Sequence, residues 1–250
     1  MRYLFVVCFI CLYLNSGTAQ GQDNKIGAIE YNLKIKGAIP KKKNAILYFN
    51  GHESLFVYDK QGLSDSTETS MQMTYSQDFA VVTVSSVDSV GAQVYRNFDT
   101  KEIVFRETET KPTKAFVVED SFIPIRWTIL NKYKYIDSFK VQQAVGVFRG
   151  REYCVWFAKD IPYPIGPWKL YGLPGVILEG NDKDHFVEFT FKASKHVTGT
   201  IERPNEAIKK SLKEYVEFTD NYMQHVVDEL QKNQQNLHLH WQTQSTVRNN

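Results

Sequence analysis

Residues 161–180 read Ile161-Pro-Tyr-Pro-Ile-Gly-Pro-Trp-Lys-Leu-Tyr-Gly-Leu-Pro-Gly-Val-Ile-Leu-Glu-Gly180 and hold four of the chain's eight prolines and four of its fourteen glycines. Proline fixes φ at about −65° and glycine admits angles that other residues avoid, so this density dictates a rigid bend. Pro174-Gly175 suits the second and third positions of a type II turn, with positive φ expected at Gly175. Gly166, Pro167, Gly172, Leu173, Pro174 and Gly175 form the structural motif. Trp168, Leu170, Leu173, Val176, Ile177 and Leu178 make the bend apolar, so it packs against a core or forms the lip of a pocket.

The first nineteen residues have the layout of a cleaved secretory signal peptide: one cation at Arg2, an apolar run from Tyr3 to Leu14, then small and polar residues. The mature chain is expected to begin near Gln20. The apolar run falls short of the ~20 residues that span a bilayer, and no later segment comes closer, so no transmembrane anchor is expected. Cys8 and Cys11 lie inside that run without a lipoprotein cleavage box, so no lipid anchor is expected either. Cys154 is the only mature cysteine, which leaves no intramolecular disulfide and puts the burden on an ordinary core. Residues 20–236 read as one domain and 237–250 as a polar tail, partly disordered. Charges are interspersed and nearly balanced, which argues against a nucleic-acid partner. The run Lys41-Lys42-Lys43 reads as a solvated turn between strands.

Ile29, Tyr31, Leu33 and Ile35 alternate with polar residues, as in a strand with one buried face. Ala45–Phe49 and Ser54–Tyr58 flank Asn50-Gly51, a type I′ hairpin signal. Further β runs are expected at Phe79–Val87, Ala92–Asn97, Lys101–Glu107, Lys114–Glu119, Arg126–Leu130, Val141–Phe148, Glu152–Ala158 and around Val187–Phe191. Residues 62–70 read as a flexible loop. Residues 205–232 carry apolar residues at helical spacing, including Ile208, Leu212, Tyr215 and Val216. His238 to Trp241 read as a short last strand. The expected fold is mainly β (α+β): a curved antiparallel sheet or half-barrel packed with one long C-terminal amphipathic helix.

Trp127-Thr-Ile, Phe148-Arg-Gly-Arg-Glu-Tyr, Val155-Trp-Phe-Ala-Lys-Asp-Ile-Pro162 and Gly166-Pro-Trp-Lys-Leu-Tyr-Gly-Leu-Pro-Gly-Val-Ile-Leu-Glu179 together resemble the GLPGLI family of exported proteins from Bacteroidetes-type bacteria. Gly172 to Ile177 stand where that family has its naming hexapeptide. The likeness runs from about 127 to 182, with Val176 where leucine is common and Val141 where cysteine is common. It implies export and a β-rich fold, and no catalytic residues.

No common hydrolase or P-loop motif occurs, and no cofactor or metal is expected. Cys154, flanked by Tyr153, Val155 and Trp156, reads as a small core residue. Asn181-Asp-Lys-Asp-His185 reads as a hairpin turn before it reads as a cation or acid–base site. His238 and His240 are too few ligands for a structural zinc site. Trp156, Tyr163, Trp168, Lys169 and Tyr171 either cap the sheet or form an aromatic mouth for an apolar ligand. The reading is an exported, non-enzymatic cell-envelope protein, in the periplasm or at the cell surface, that binds an apolar small molecule, a lipid or an envelope protein around 163–179. Two alternatives are an interaction module accessory to an outer-membrane transporter and a hydrolase using Asp160, Glu179, Asp182 and His185.

Overall fold

The computed structural model describes residues 25–36, 41–63, 71–75, 80–84, 88–108, 115–205 and 207–222, with single positions as far as 232. Its strands are β1 (Lys25–Ile35), β2 (Lys41–Phe49), β3 (Glu53–Tyr58), β4 (Met71–Tyr75), β5 (Ala80–Val84), β6 (Ala92–Asn97), β7 (Glu102–Thr108), β8 (Ala115–Asp120), β9 (Arg126–Ile136), β10 (Phe139–Phe148), β11 (Arg151–Ala158), β12 (Val176–Asp182), β13 (Val187–Thr198) and β14 (Ile208–Ser211). Twelve form one open curved sheet in the order β14-β8-β7-β6-β3-β2-β1-β13-β12-β11-β10-β9, while β4 pairs with β5. Pairing is antiparallel except for β14 on β8.

Alternation decides which face each strand buries. Along β1, Ile29, Tyr31 and Leu33 are buried while Asn32 and Lys34 are exposed. They share one face with Phe56 of β3, Val94 of β6, Phe105 of β7 and Phe189 of β13, and this inner face carries the main core. Phe56 meets Phe189 edge-on with ring centroids 6.2 Å apart. A smaller cluster of Tyr95, Val104 and Val117 lies on the other face under Leu55, Ile201 and Ala207.

The strands expected on described residues are present, with two corrections, while the strand expected at His238–Trp241 lies outside the described residues. Lys41–Lys43 are not a turn but the start of β2, opposite Leu33–Ile35 of β1. Asn50-Gly51 do join β2 to β3, but neither has positive φ. The turn is closed instead by the Asn50 side chain, whose Oδ1 accepts from the amides of His52 and Glu53 at 2.8 Å. A type I′ geometry occurs at Arg149-Gly150, with φ of 49° and 77°, between the paired residues Phe148 and Arg151.

The long helix expected over 205–232 is not formed. Ile208–Ser211 add to β8 as β14, and the continuous helical run covers 212–222. Ser211 and Glu214 set that start: the Ser211 hydroxyl accepts from the Glu214 amide at 3.3 Å and the Glu214 carboxylate from the Ser211 amide at 2.7 Å, a capping box. Leu212, Tyr215 and Phe218 then pack on the inner face. The expected stripe residues Ile208 and Val216 point outward, 48% and 46% exposed. No helix among the described residues is long and apolar enough to cross a membrane. The signal peptide, Cys8, Cys11, most of the 62–70 loop, the 237–250 tail, and His238 and His240 lie outside the described residues.

Candidate functional site

Between β11 and β12 the chain leaves the sheet, and residues 159–175 fold over its inner face. Proline removes donors along this path, so the remaining amides close the segment on itself. Gly172 N donates to Pro164 O at 2.9 Å, Ile177 N to Ile165 O at 3.0 Å and Val176 N to Ile161 O at 3.0 Å. Ile165, Leu170 and Leu173 enter the core and are at most 1% exposed. The bend is therefore a plug with its own apolar face.

Arg96 clasps the plug. It sits on β6 at the inward parity of Val94 and is fully buried. Its guanidinium donates to the carbonyls of Gly166 and Trp168 and to Ser54 Oγ, and it lies 5.5 Å from the Tyr171 ring centroid. Burial lowers its pKa to about 10. A delocalised, planar cation tolerates such burial better than an ammonium does.

A second clasp joins Lys169 to β8. Its ammonium donates to Asp120 at 2.6 Å and sits 3.6 Å from the Phe105 ring centroid, and Arg149 reaches the same carboxylate. Burial acts to raise the Asp120 carboxyl, but Lys169 and Arg149 outweigh it and hold the group below the usual aspartate value. Burial pulls Lys169 down, with Asp120 opposing. Deeper along the same face, Tyr58 donates to Glu107, whose carboxyl is raised by burial.

The five residues expected to form an aromatic mouth are not gathered on one face. Tyr171 is buried against Phe122, with ring centroids 4.7 Å apart, and its hydroxyl donates to Ile123 O at 2.5 Å. Its own carbonyl accepts from Trp127 Nε1 at 2.8 Å. Trp168 and Tyr163 are half-buried, packed on Phe148 and Phe49. Trp156 lies on the outer face, where Lys134 is 4.8 Å from its ring and paired with Glu179.

The glycines divide differently from the expectation. Positive φ falls at Gly172 (94°), not at Gly175, which corrects the type II turn. Gly175 is required for space, because a Cβ there would overlap the Ala158 carbonyl oxygen.

The acidic cluster is dispersed as well. Glu179 pairs with Lys134 on the outer face, whereas the buried Asp182 accepts from Arg151 at 2.7 Å and from the Val187 amide at 2.9 Å. Residues 183–186 turn from β12 to β13 with Asp182 fixing the turn, and His185 and Asp160 are exposed. Cys154 is half-buried, its Sγ accepting from Gln143 Nε2 at 3.0 Å. No group of three His, Cys, Asp or Glu side chains placed to hold a metal ion occurs among the described residues.

Sequence reading missed Arg96, Asp120 and Arg149. Arg96 had a signal: a cation at the core-facing parity of an otherwise apolar strand. It also missed the outer surface of β9 and β10, where Arg126, Thr128, Val145, Val147 and Glu152 help line an open depression of about 500 Å³.

No protein-family model matches this sequence, and neither does any curated protein. Among solved structures, PNGF-II in two crystal forms overlays with TM-scores of 0.52 and 0.53 at 14% identity. The overlay spans 77% of this chain and 32% of PNGF-II, so this chain matches about a third of that protein's length, and the likeness is one of fold. An outer membrane lipoprotein-sorting protein domain from Vibrio parahaemolyticus overlays at a TM-score of 0.24 and 11% identity, over 72% of this chain and 88% of that domain, too loosely to define a shared fold.

Proposed function

We propose that the protein is an exported, non-enzymatic cell-envelope protein of the GLPGLI type that works as an interaction module, docking a partner polypeptide where the 161–175 segment meets β9. The observation that carries this reading is the engagement of the segment's own recognition groups. Lys169, the cation available to a ligand, is held by Asp120, and Tyr171 is held by Ile123, Trp127 and Arg96. Rigid scaffolding of this kind suits presentation of a surface better than enclosure of a ligand. Through Trp127 and Tyr171 the plug braces β9, whose side chains Ile129, Tyr133 and Tyr135 are exposed. A carrier of an apolar ligand would instead use the half-buried Tyr163 and Trp168.

Photocrosslinking in the native envelope separates these readings. Benzoylphenylalanine is placed in the full chain at Tyr135, at Trp168, or at Lys209 on the far edge of the sheet. The module reading predicts one discrete protein adduct. Lipid or small-molecule adducts confined to Trp168 would replace it with the carrier, and no adduct at any position would remove the binding reading.

A further inference from the structure

β9 ends the sheet, bonded to β10 on one side and, among the described residues, to no strand on the other. It is eleven residues long, and among the described residues no strand pairs with the backbone donors and acceptors of its free side. The opposite end of the sheet is treated differently, since β8 is covered by the four residues of β14. Lysines on an edge often serve only to repel other strands, and β9 carries Lys132 and Lys134. Protection alone does not account for its apolar side chains: Ile129, Tyr133 and Tyr135 are 44%, 50% and 72% exposed.

The two kinds of side chain are sorted by face. Arg126, Thr128 and Lys134 lie opposite Val147, Val145 and Val141 of β10, on the outer face. Ile129, Tyr133 and Tyr135 lie opposite Ala144, Gln142 and Lys140, on the other. The irregularity at 130–132, where three residues of β9 face Gln143 alone, bends the strand without exchanging the faces. β9 has three cations and no acid, and Arg126 and Lys132 have no acidic partner among the described residues. Lys134 already shows the pairing these cations take, with the Glu179 carboxylate. Two copies pairing through β9 would bring cation against cation, which disfavours a second copy as the occupant.

We infer that the free edge of β9 takes up an extended acidic segment of a partner polypeptide by strand addition, its carboxylates beside Arg126 and Lys132 and its alternate apolar side chains beside Ile129, Tyr133 and Tyr135. The inference rests on the interaction-module reading and names the chemistry of the partner.

The test titrates the purified protein with a blocked peptide alternating glutamate with valine and isoleucine, and with its lysine counterpart, while amide exchange is followed. The acidic peptide is expected to bind at least about tenfold more tightly than the basic one, to weaken as salt rises, and to slow exchange in β9. The double variant Arg126→Glu/Lys132→Glu, checked for unchanged thermal unfolding, is expected to reverse the preference, and Tyr135→Glu alone to weaken the acidic peptide. Equal binding of both peptides, protection outside β9, or displacement of the acidic peptide by phosphatidylglycerol vesicles would overturn the inference, the last in favour of a membrane surface. If crosslinking captures a partner from Trp168 while β9 stays unprotected, this inference falls and the module reading stands; a partner captured only from Lys209 removes both. An absence of partners at every position removes the module reading itself.

Discussion

Three glycines separate the need for space from the need for an unusual backbone angle. At Gly175 an added methyl overlaps the Ala158 carbonyl, so Gly175→Ala is predicted to cost about 2 kcal/mol or more. Gly150 has open surroundings but φ of 77°, and Gly150→Ala should cost about 1 kcal/mol. Gly51 has neither constraint, and its alanine variant should lie within about 0.5 kcal/mol of the parent. Urea midpoints of the three variants give the ranking directly. The sequence marks Gly175 as special, but the reason lies in a contact with β11 that no local pattern displays. The buried cation is a different case. Arg96→Met leaves the Gly166 and Trp168 carbonyls without their donor, and a loss of about 3 kcal/mol with a shift in tryptophan emission is expected. Asp120, Asp182 and Asp88 are all held below the ordinary value of 3.8, burial opposing and their cation or amide donors prevailing. With folded-state values depressed, the stability they supply is present above about pH 4 and is lost as pH falls through those lower values. Urea unfolding followed from pH 6 downward should show this loss. Asp120→Asn should flatten part of the slope, and an unchanged slope would remove Asp120 from the account.

At the scale of elements, period-2 alternation was legible wherever a strand buries one face, as in β1, β3 and β6. β12 was not legible, because its apolar start follows directly on Pro174-Gly175 and reads as a continuation of the bend. The helix was misjudged for a related reason. Apolar spacing from 208 onward fits one long helix, yet Ser211 and Glu214 carry the capping signature that starts it at 212 and releases Ile208–Ser211 to cover the edge of β8. The packed stripe is then Leu212, Tyr215 and Phe218, with Tyr215 and Phe218 against Phe116 at 6.2 and 5.0 Å between ring centroids. Phe218→Ala should cost about 1–2 kcal/mol, whereas Val216→Ala on the exposed side should cost under about 0.5 kcal/mol. Thermal or urea unfolding of the pair checks the register, and equal losses would mean that the helix is docked by another face.

For the whole molecule, the curved sheet expected from the strand pattern is present, but its concavity is occupied by the chain itself. That outcome was half legible. The Pro/Gly density announced a rigid apolar bend, while its destination depended on Arg96, Asp120 and Trp127, residues 44 to 72 positions away from their partners in the bend. The candidate ligand residues lie in or beside that bend by number, yet the sheet separates Trp156 from the other four, since strand parity puts it outside. A plugged shell whose long β9 edge is unpaired among the described residues presents a surface, and its function then follows from what that surface meets. The most direct test is the native mass of the protein purified from its own envelope, followed by solvent extraction. The account predicts the chain alone or with a second polypeptide, and no extractable small molecule. A lipid or small molecule that co-purifies reproducibly and is lost in Trp168→Ala would contradict it, and would return the bend to the role of a binding mouth.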